Sequence, residues 1–340
     1  MTPTNTAAAS ANRHHYMVSP GWDLMFIINV PWVLFALADV LHRDDWLPDL
    51  HNLRYFYLSV PHRFMTLALV FLDREQFSRR PRMFVGLPLG FGALVLAAAF
   101  LGTGTFFNVQ TLICILTVDY IWNAYHFASQ HYGIARIYGR KAGGGRPALE
   151  KAILVPGISW AIITAANWTL VDGPLRILFM ALDGIVVLGF AVLLAIELRS
   201  PKRSVPKLIY LFSVTSLYGG LVVFPYLGWQ EARLGLMAGA GYFHAVEYLG
   251  IVHFYVKGKQ RGGGFKQGAF RLTAPIWTQT LVLFLLTIGT LGLMAENTLS
   301  DGVNLTILSI ASFTHYAFDG MIWKLRKPSV SKALGAEGDS

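Results

Sequence analysis

The chain has 340 residues, of which 54% are hydrophobic and only 14% are charged, with a formal net charge of +9. A soluble protein of this size would carry about 25% charged residues, so the composition excludes an ordinary soluble domain and indicates an integral membrane protein. The single cysteine excludes a disulfide framework and a thiolate metal site.

The chain begins with a polar leader over residues 1–20. Residues 1–13 are rich in Ala, Thr and Asn and lack the apolar run that a cleavable signal peptide needs. We expect this leader to be cytoplasmic. A transmembrane domain over residues 21–325 and a cytoplasmic tail over residues 326–340 are expected to follow.

The transmembrane domain is predicted to be an all-α, polytopic helix bundle. A membrane-spanning helix needs about 20 mostly apolar residues, and about ten stretches satisfy this requirement. The predicted spans cover residues 22–41, 55–72, 83–102, 106–135, 151–172, 176–198, 207–227, 233–256, 275–296 and 302–323.

The basic residues predict the orientation of these spans. Most of the 28 Lys and Arg residues fall in every second loop and in the C-terminal tail, and the intervening loops contain almost none. By the positive-inside rule, both termini are cytoplasmic and the number of spans is even. This asymmetry also explains the positive net charge without a nucleic-acid partner. We expect a multi-pass protein of a bacterial inner membrane.

Four histidines lie at a similar predicted depth. His62, His126, His244 and His315 each occupy a different span that ends at the basic side. At 1.5 Å per residue, each lies roughly 13–20 Å from that boundary. Ionisable side chains are costly inside a bilayer, so four at one level indicate a functional site. We expect them to be metal ligands.

His131 and His253 lie nearer to the predicted helix ends and complete the set of candidate metal ligands. In an ideal helix, His131 is about 140° round from His126, and His253 is about 180° round from His244. We therefore expect these two residues either to form a second, shallower centre or to orient the first.

Polar residues accompany the deeper histidines at helical spacing. Glu247 follows His244 at i+3 and Asp319 follows His315 at i+4, so each pair shares one helix face. Each carboxylate would cost roughly 2.5–3.5 kcal/mol to insert without a partner. We expect Glu247 and Asp319 to act in catalysis by completing or supporting a metal shell. Asp119 is a candidate to orient a ligand imidazole.

Imidazole and carboxylate ligands together favour non-haem iron, and haem is the less favoured cofactor. A site embedded in lipid implies an apolar substrate, such as a lipid or an isoprenoid, and an electron-transfer partner would be compatible with it. The Gly-Gly-Gly runs at 143–145 and 262–264 are expected to be flexible loops, because no strand precedes them as in a nucleotide-phosphate cradle.

The placement of these histidines resembles that in the membrane-bound non-haem iron oxygenases, which include the desaturase and hydroxylase class and the bacterial beta-carotene dioxygenase family. The HxxxH and HxxHH boxes of desaturases are absent, so the isolated histidines are more similar to the carotenoid-cleaving type. The resemblance implies an iron-dependent oxidoreductase of lipid metabolism. It rests on the topology and on His62, His126, His131, His244, His253 and His315.

Other functions are compatible with the same pattern. A proton- or cation-coupled transporter would use intramembrane His, Asp and Glu as a relay. A haem b electron carrier would use histidines paired across helices. A structural scaffold would give no reason for buried carboxylates.

Overall fold

The computed structural model describes residues 15–41, 47–101, 109–167 and 172–336. Within these ranges the chain forms helices and no strand, which confirms the all-α prediction. The α-helices are α1 (Pro20–Trp22), α2 (Trp32–Leu41), α3 (Leu47–Arg54), α4 (Val60–Phe71), α5 (Arg74–Ser78), α6 (Pro81–Leu101), α7 (Val109–Lys141), α8 (Pro147–Asn167), α9 (Pro174–Leu198), α10 (Val205–Val223), α11 (Gln230–Arg261), α12 (Phe270–Thr273), α13 (Trp277–Thr298), α14 (Asp301–Ile322) and α15 (Pro328–Ala333).

Six helical segments are long and apolar enough to cross a membrane, so the chain is a multi-pass membrane protein by length and composition. Each corresponds to one of the predicted spans. The remaining predicted spans are those that carry His62, His126, His244 and His315. The six segments are Pro20–Leu37, Pro81–Ala99, Pro147–Ala166, Pro174–Leu198, Val205–Leu227 and Phe270–Thr298.

The chain divides into two compact units. The first unit contains Met1–Pro48, Ala124–Ile251 and Leu334–Ser340, and the second contains Asp49–Asn123 and Val252–Ala333. The long helices α7 and α11 each contribute residues to both units. Residues 1–14 of the predicted leader and 337–340 of the predicted tail lie outside the described residues.

In the first unit, α8, α9 and α10 pack against one another, and the apolar segment nearest the N-terminus is broken. Asp23–Ile27 form a π-helix, and Asn29 then adopts a left-handed φ of 54°. The Asn29 amide donates to the carbonyl of Phe243 at 3.2 Å, and the Ser213 hydroxyl donates to the carbonyl of Ile28 at 3.0 Å. Neighbouring helices thus satisfy backbone and side-chain groups at the break, as an apolar environment requires.

In the second unit, α14 packs against α6 and α4, and α13 packs against a π-helix formed by Tyr55–Ser59. An apolar cluster centred on Val95, Phe313 and Tyr316 joins α6 to α14. The same helix α14 presents His315 and Asp319 to α4, so this packing positions polar groups within an otherwise apolar core.

The structure departs from the predicted boundaries at the site-bearing helices. Helix α7 continues to Lys141 and α11 to Arg261, because the basic residues beyond the apolar run remain compatible with helix. His131 and His253 therefore lie two or more turns inside their helices instead of close to the ends. Part of the predicted tail forms α15, whose Val330 and Ala333 side chains are buried.

Candidate metal centre

The second unit brings two histidines and one carboxylate together. The rings of His62 and His315 lie edge to face, with their centroids 5.0 Å apart. His315 Nε2 lies 3.7 Å from Asp319 Oδ2. The exposed fraction is 5% for His62, 0% for His315 and 7% for Asp319. This is a buried donor set of two imidazoles and one carboxylate.

Thr66 determines which nitrogen of His315 carries the proton. The Thr66 hydroxyl donates to Asp319 Oδ1 at 2.9 Å, and its oxygen lies 2.6 Å from His315 Nδ1. A hydroxyl has one proton, so a Thr66 that donates to Asp319 must accept from His315 Nδ1–H. In the neutral imidazole, which is the form that binds a metal, the lone pair is then on Nε2, which faces the carboxylate. Two acceptors side by side in a buried site attract a cation between them.

Helical spacing explains this arrangement. His62 and Thr66 share one face of α4, and His315 and Asp319 share one face of α14, because residues four apart are neighbours on a helix. The packing of α14 on α4 joins the two faces. The indole of Trp323 donates to Asp319 Oδ1 at 3.1 Å, which further fixes the carboxylate.

The first unit contains a second histidine pair. The rings of His126 and His244 lie edge to face with centroids 5.0 Å apart, and both side chains are buried. The His244 ring also stacks on Phe127 at 3.7 Å and an interplanar angle of 14°. This stacking restricts the orientation of the imidazole.

Glu247 belongs to a hydrogen-bonded network in the first unit and not to the His126–His244 pair. The Tyr210 hydroxyl donates to Glu247 Oε1 at 2.7 Å, and the Gln130 amide donates to Oε2 at 2.7 Å. The Gln130 amide also lies 3.0 Å from the carbonyl of His244, so Gln130 joins α7 to α11. The Glu247 side chain is fully buried and is stabilised by these donors.

His131 is held at both ring nitrogens. Its Nδ1 lies 2.9 Å from the Tyr210 hydroxyl, and its Nε2 lies 2.9 Å from the Tyr218 hydroxyl. Since Tyr210 donates to Glu247, His131 Nδ1 is the donor to the Tyr210 hydroxyl. Both ring nitrogens are engaged by tyrosine hydroxyls, and Nδ1 also lies 3.3 Å from Glu247 Oε2, so His131 acts here as a hydrogen-bonding residue.

The other sequence-predicted residues lie in different surroundings. His253 is half-buried on α11, and it does not belong to either histidine pair. The carboxylate of Asp119 interacts electrostatically with Arg63 and by a hydrogen bond with Tyr316, so its identified partners do not include an imidazole. Neither residue enters the metal site that we propose below.

Sequence reasoning missed Thr66, Tyr210 and Tyr218. The sequence does contain a signal for Thr66, because Thr66 follows His62 at the same i+4 spacing at which Asp319 follows His315. The two tyrosines are buried polar groups two turns apart in an apolar span, and such groups need a partner. Sequence could indicate that need but could not identify His131 as the partner.

Comparison of the chain with protein-family models, with curated proteins and with solved structures found no match. The chemistry of the site therefore rests on the residues themselves. Some of the buried histidines, together with Asp319, lie close enough to one another to hold a metal ion.

Proposed function

We propose that the protein is a membrane-embedded, iron-dependent oxygenase that acts on a lipid or isoprenoid substrate. The observation that supports this function is the buried donor set of His62, His315 and Asp319. Two imidazoles with one carboxylate are the ligand set of many non-haem iron oxygenases, in which open coordination positions remain for dioxygen and substrate. His126 and His244 form a second imidazole pair, which we also assign to metal binding.

Each residue of the donor set has a separate task. His315 Nε2 supplies a lone pair, because the proton of the neutral imidazole stays on Nδ1, where it is donated to the Thr66 hydroxyl. Asp319 supplies the negative charge that balances a divalent cation in a buried site. His62 supplies a second neutral imidazole at contact distance from the His315 ring. Glu247 supports the first unit through Tyr210 and Gln130.

When bound, iron would activate dioxygen for the oxidation of either a carbon–hydrogen bond or a carbon–carbon double bond of the substrate. The protein's own contribution is to hold the ligands, exclude water and admit an apolar substrate. The burial of the donor set within a membrane protein favours a substrate that partitions into lipid over a polar metabolite. Hydroxylation of a carbon–hydrogen bond would also consume two electrons, which an electron-transfer partner would supply, whereas cleavage of a carbon–carbon double bond by insertion of both oxygen atoms would need no reductant.

The membrane arrangement that we propose has about ten spans with both termini in the cytoplasm, within a bacterial inner membrane. The six apolar segments and the four histidine-bearing helices together account for this number. The basic loops then face the cytoplasm.

Metal analysis tests the proposal directly. We expect the full-length protein, purified from membranes, to contain iron by mass spectrometry. His315→Ala and Asp319→Asn should each lower the iron content at least about tenfold, because each removes a ligand. His51→Ala is the matched control, since it removes an imidazole that no part of the proposal uses.

Iron below a few tenths of an equivalent in the wild-type protein would contradict the proposal. So would iron that is unaffected by His315→Ala. A Soret band in the purified protein would show that the histidines bind haem instead. Oxidised lipid or pigment that co-purifies with the wild type but not with Asp319→Asn would support the oxygenase.

One observation favours a second candidate, a proton-coupled transporter. Glu247, His131, Tyr210 and Tyr218 form a continuous buried hydrogen-bond chain, and such chains serve as proton relays in membrane transporters. Substrate flux in proteoliposomes that depends on a pH gradient and is abolished by Glu247→Gln would support this function. Flux that is equal in the two proteins would exclude it.

A further inference from the structure

A cavity of about 350 Å³ lies within the first unit, where α8 begins and α9 ends. The loop before α8 forms one wall, and the loop between α9 and α10 forms another. The cavity is separate from both histidine pairs and from the Glu247 network. Its lining includes Gly143–Gly145, Arg146 and Lys202 on the polar side and Leu149, Leu193 and Ile196 on the apolar side.

The charges around the cavity leave an excess of positive charge. Glu150 and Glu197 line it, but both carboxylates bind the buried ammonium of Lys207, at 2.8 and 2.7 Å. Arg136 lies 3.5 Å from the second oxygen of Glu150. The negative charges of Glu150 and Glu197 are therefore balanced by the positive charges of Lys207 and Arg136. The positive charges of Arg146 and Lys202 remain, and both side chains are exposed.

The glycine loop, which we expect from its sequence to be flexible, makes specific contacts. Lys202 Nζ donates to the carbonyl of Gly143 at 3.0 Å. A Cβ at Gly145 would lie 2.8 Å from Arg136 Nη1, and Gly145 has a φ of +112°, which L-residues rarely adopt. The backbone of this loop therefore approaches the ion cluster closely, and the cavity wall is a built structure.

The cavity lies where membrane spans end. Two of the apolar segments begin at Pro147 and Val205, and a third ends at Leu198. The ends of spanning helices lie at the level of the lipid headgroups. A cavity at this level has one cationic wall and one apolar wall. It is therefore complementary to an amphiphile whose headgroup is negatively charged. Basic pockets between membrane helices bind phospholipid headgroups in this way.

We propose that this cavity binds the phosphate-bearing headgroup of an anionic membrane lipid. Arg146 and Lys202 contact the phosphate, the loop of Gly143–Gly145 lies against the headgroup, and the first methylene groups of the acyl chain contact Leu149, Leu193 and Ile196. The site is independent of the metal centre and would exist whether or not the protein is an oxygenase.

Binding of a short-chain phosphatidylglycerol to the full-length protein in detergent micelles tests this site. We expect saturable binding, which Arg146→Gln combined with Lys202→Gln should weaken about tenfold or more, because each basic residue near an anionic headgroup strengthens binding about fivefold. The matched control is Arg199→Gln combined with Arg203→Gln. It removes the same charge from the same loop region but from residues that do not line the cavity, and we expect binding within about twofold of the wild type.

Equal weakening in the two double variants would overturn the proposal, because it would show general electrostatic attraction to a basic surface. Phosphatidylcholine of the same chain length should bind at least several-fold more weakly, and equal binding of the two lipids would also overturn it. Inorganic phosphate distinguishes the source of the phosphate. Its binding at the same concentration as phosphatidylglycerol would show a site for free phosphate and contradict a lipid site.

Discussion

At the scale of single residues, one hydroxyl determines the chemistry of the proposed metal site. Thr66 donates to Asp319 and accepts from His315. It thereby fixes both the tautomer of the imidazole and the orientation of the carboxylate. Groups that orient metal ligands in this way commonly change metal affinity by about 10- to 100-fold when they are removed.

Thr66→Val should therefore weaken iron binding by about 10- to 100-fold, although Thr66 itself is not a ligand. Valine has nearly the same shape but cannot hold the proton of His315 Nδ1 or donate to Asp319. Thr66→Ser retains the hydroxyl and should restore binding to within a few-fold of the wild type. Titration of the metal-depleted protein with Fe²⁺ measures this affinity.

The buried Thr306 provides a control, because its hydroxyl donates within α14 to the carbonyl of Gly302. Thr306→Val should leave iron affinity unchanged. Equal loss of affinity in the two valine variants, or failure of Thr66→Ser to restore it, would show a packing effect and would remove the assigned role of Thr66.

At the scale of helices, glycines allow the close packing that places the site. Membrane helices have no hydrophobic force between them, so small residues at the contact increase van der Waals packing. At Gly289 of α13, a Cβ would lie 2.9 Å from the carbonyl of Phe56 and 2.5 Å from the ring of Tyr57. The π-helix that contains these residues leads directly into α4, which carries His62 and Thr66.

Gly289→Ala should destabilise the protein by about 1–3 kcal/mol, because the added methyl group meets backbone that cannot move aside. Gly320→Ala on α14 is the control, since a Cβ there meets nothing within 4 Å. It should be neutral or slightly stabilising through its better helix propensity. Denaturant titration in mixed micelles, followed by tryptophan fluorescence, measures the free energy of unfolding. Equal effects of the two substitutions would contradict the packing argument.

At the scale of the whole molecule, the distribution of charge predicts the topology. The chain has one cysteine, Cys114, and it is exposed. A Cys114→Ser background is therefore suitable for labelling of single introduced cysteines. We predict that Ser200→Cys, between two basic clusters, reacts with a membrane-impermeant maleimide only in inverted vesicles. Asp172→Cys and Ser300→Cys, in loops with few basic residues, should react only from the opposite side.

Labelling of all three positions from one side would contradict the alternating topology. An odd number of spans would place the two termini on opposite sides. A tag at each terminus, tested by protease accessibility in the same vesicles, distinguishes these arrangements without reference to the helix boundaries.

Much of this molecule could be predicted from local sequence. Hydropathy identified a multi-pass helical protein, and the six apolar segments coincide with predicted spans. Spacing identified the pair of His315 and Asp319 on one helix face, because i+4 neighbours meet in any helix. These properties depend on residues close together in the chain, so the amino-acid order alone determines them.

Tertiary packing decided which polar groups meet. Depth estimated from the sequence gives the height of a residue along its helix but not the direction of its side chain towards a neighbouring helix. The sequence therefore predicted both His131 and Glu247 as residues of a metal site. In the structure, α10 places the hydroxyls of Tyr210 and Tyr218 within hydrogen-bonding distance of these side chains. The pairing of His62 with His315 and the contacts of Thr66 with His315 and Asp319 were decided in the same way, by the packing of α4 against α14.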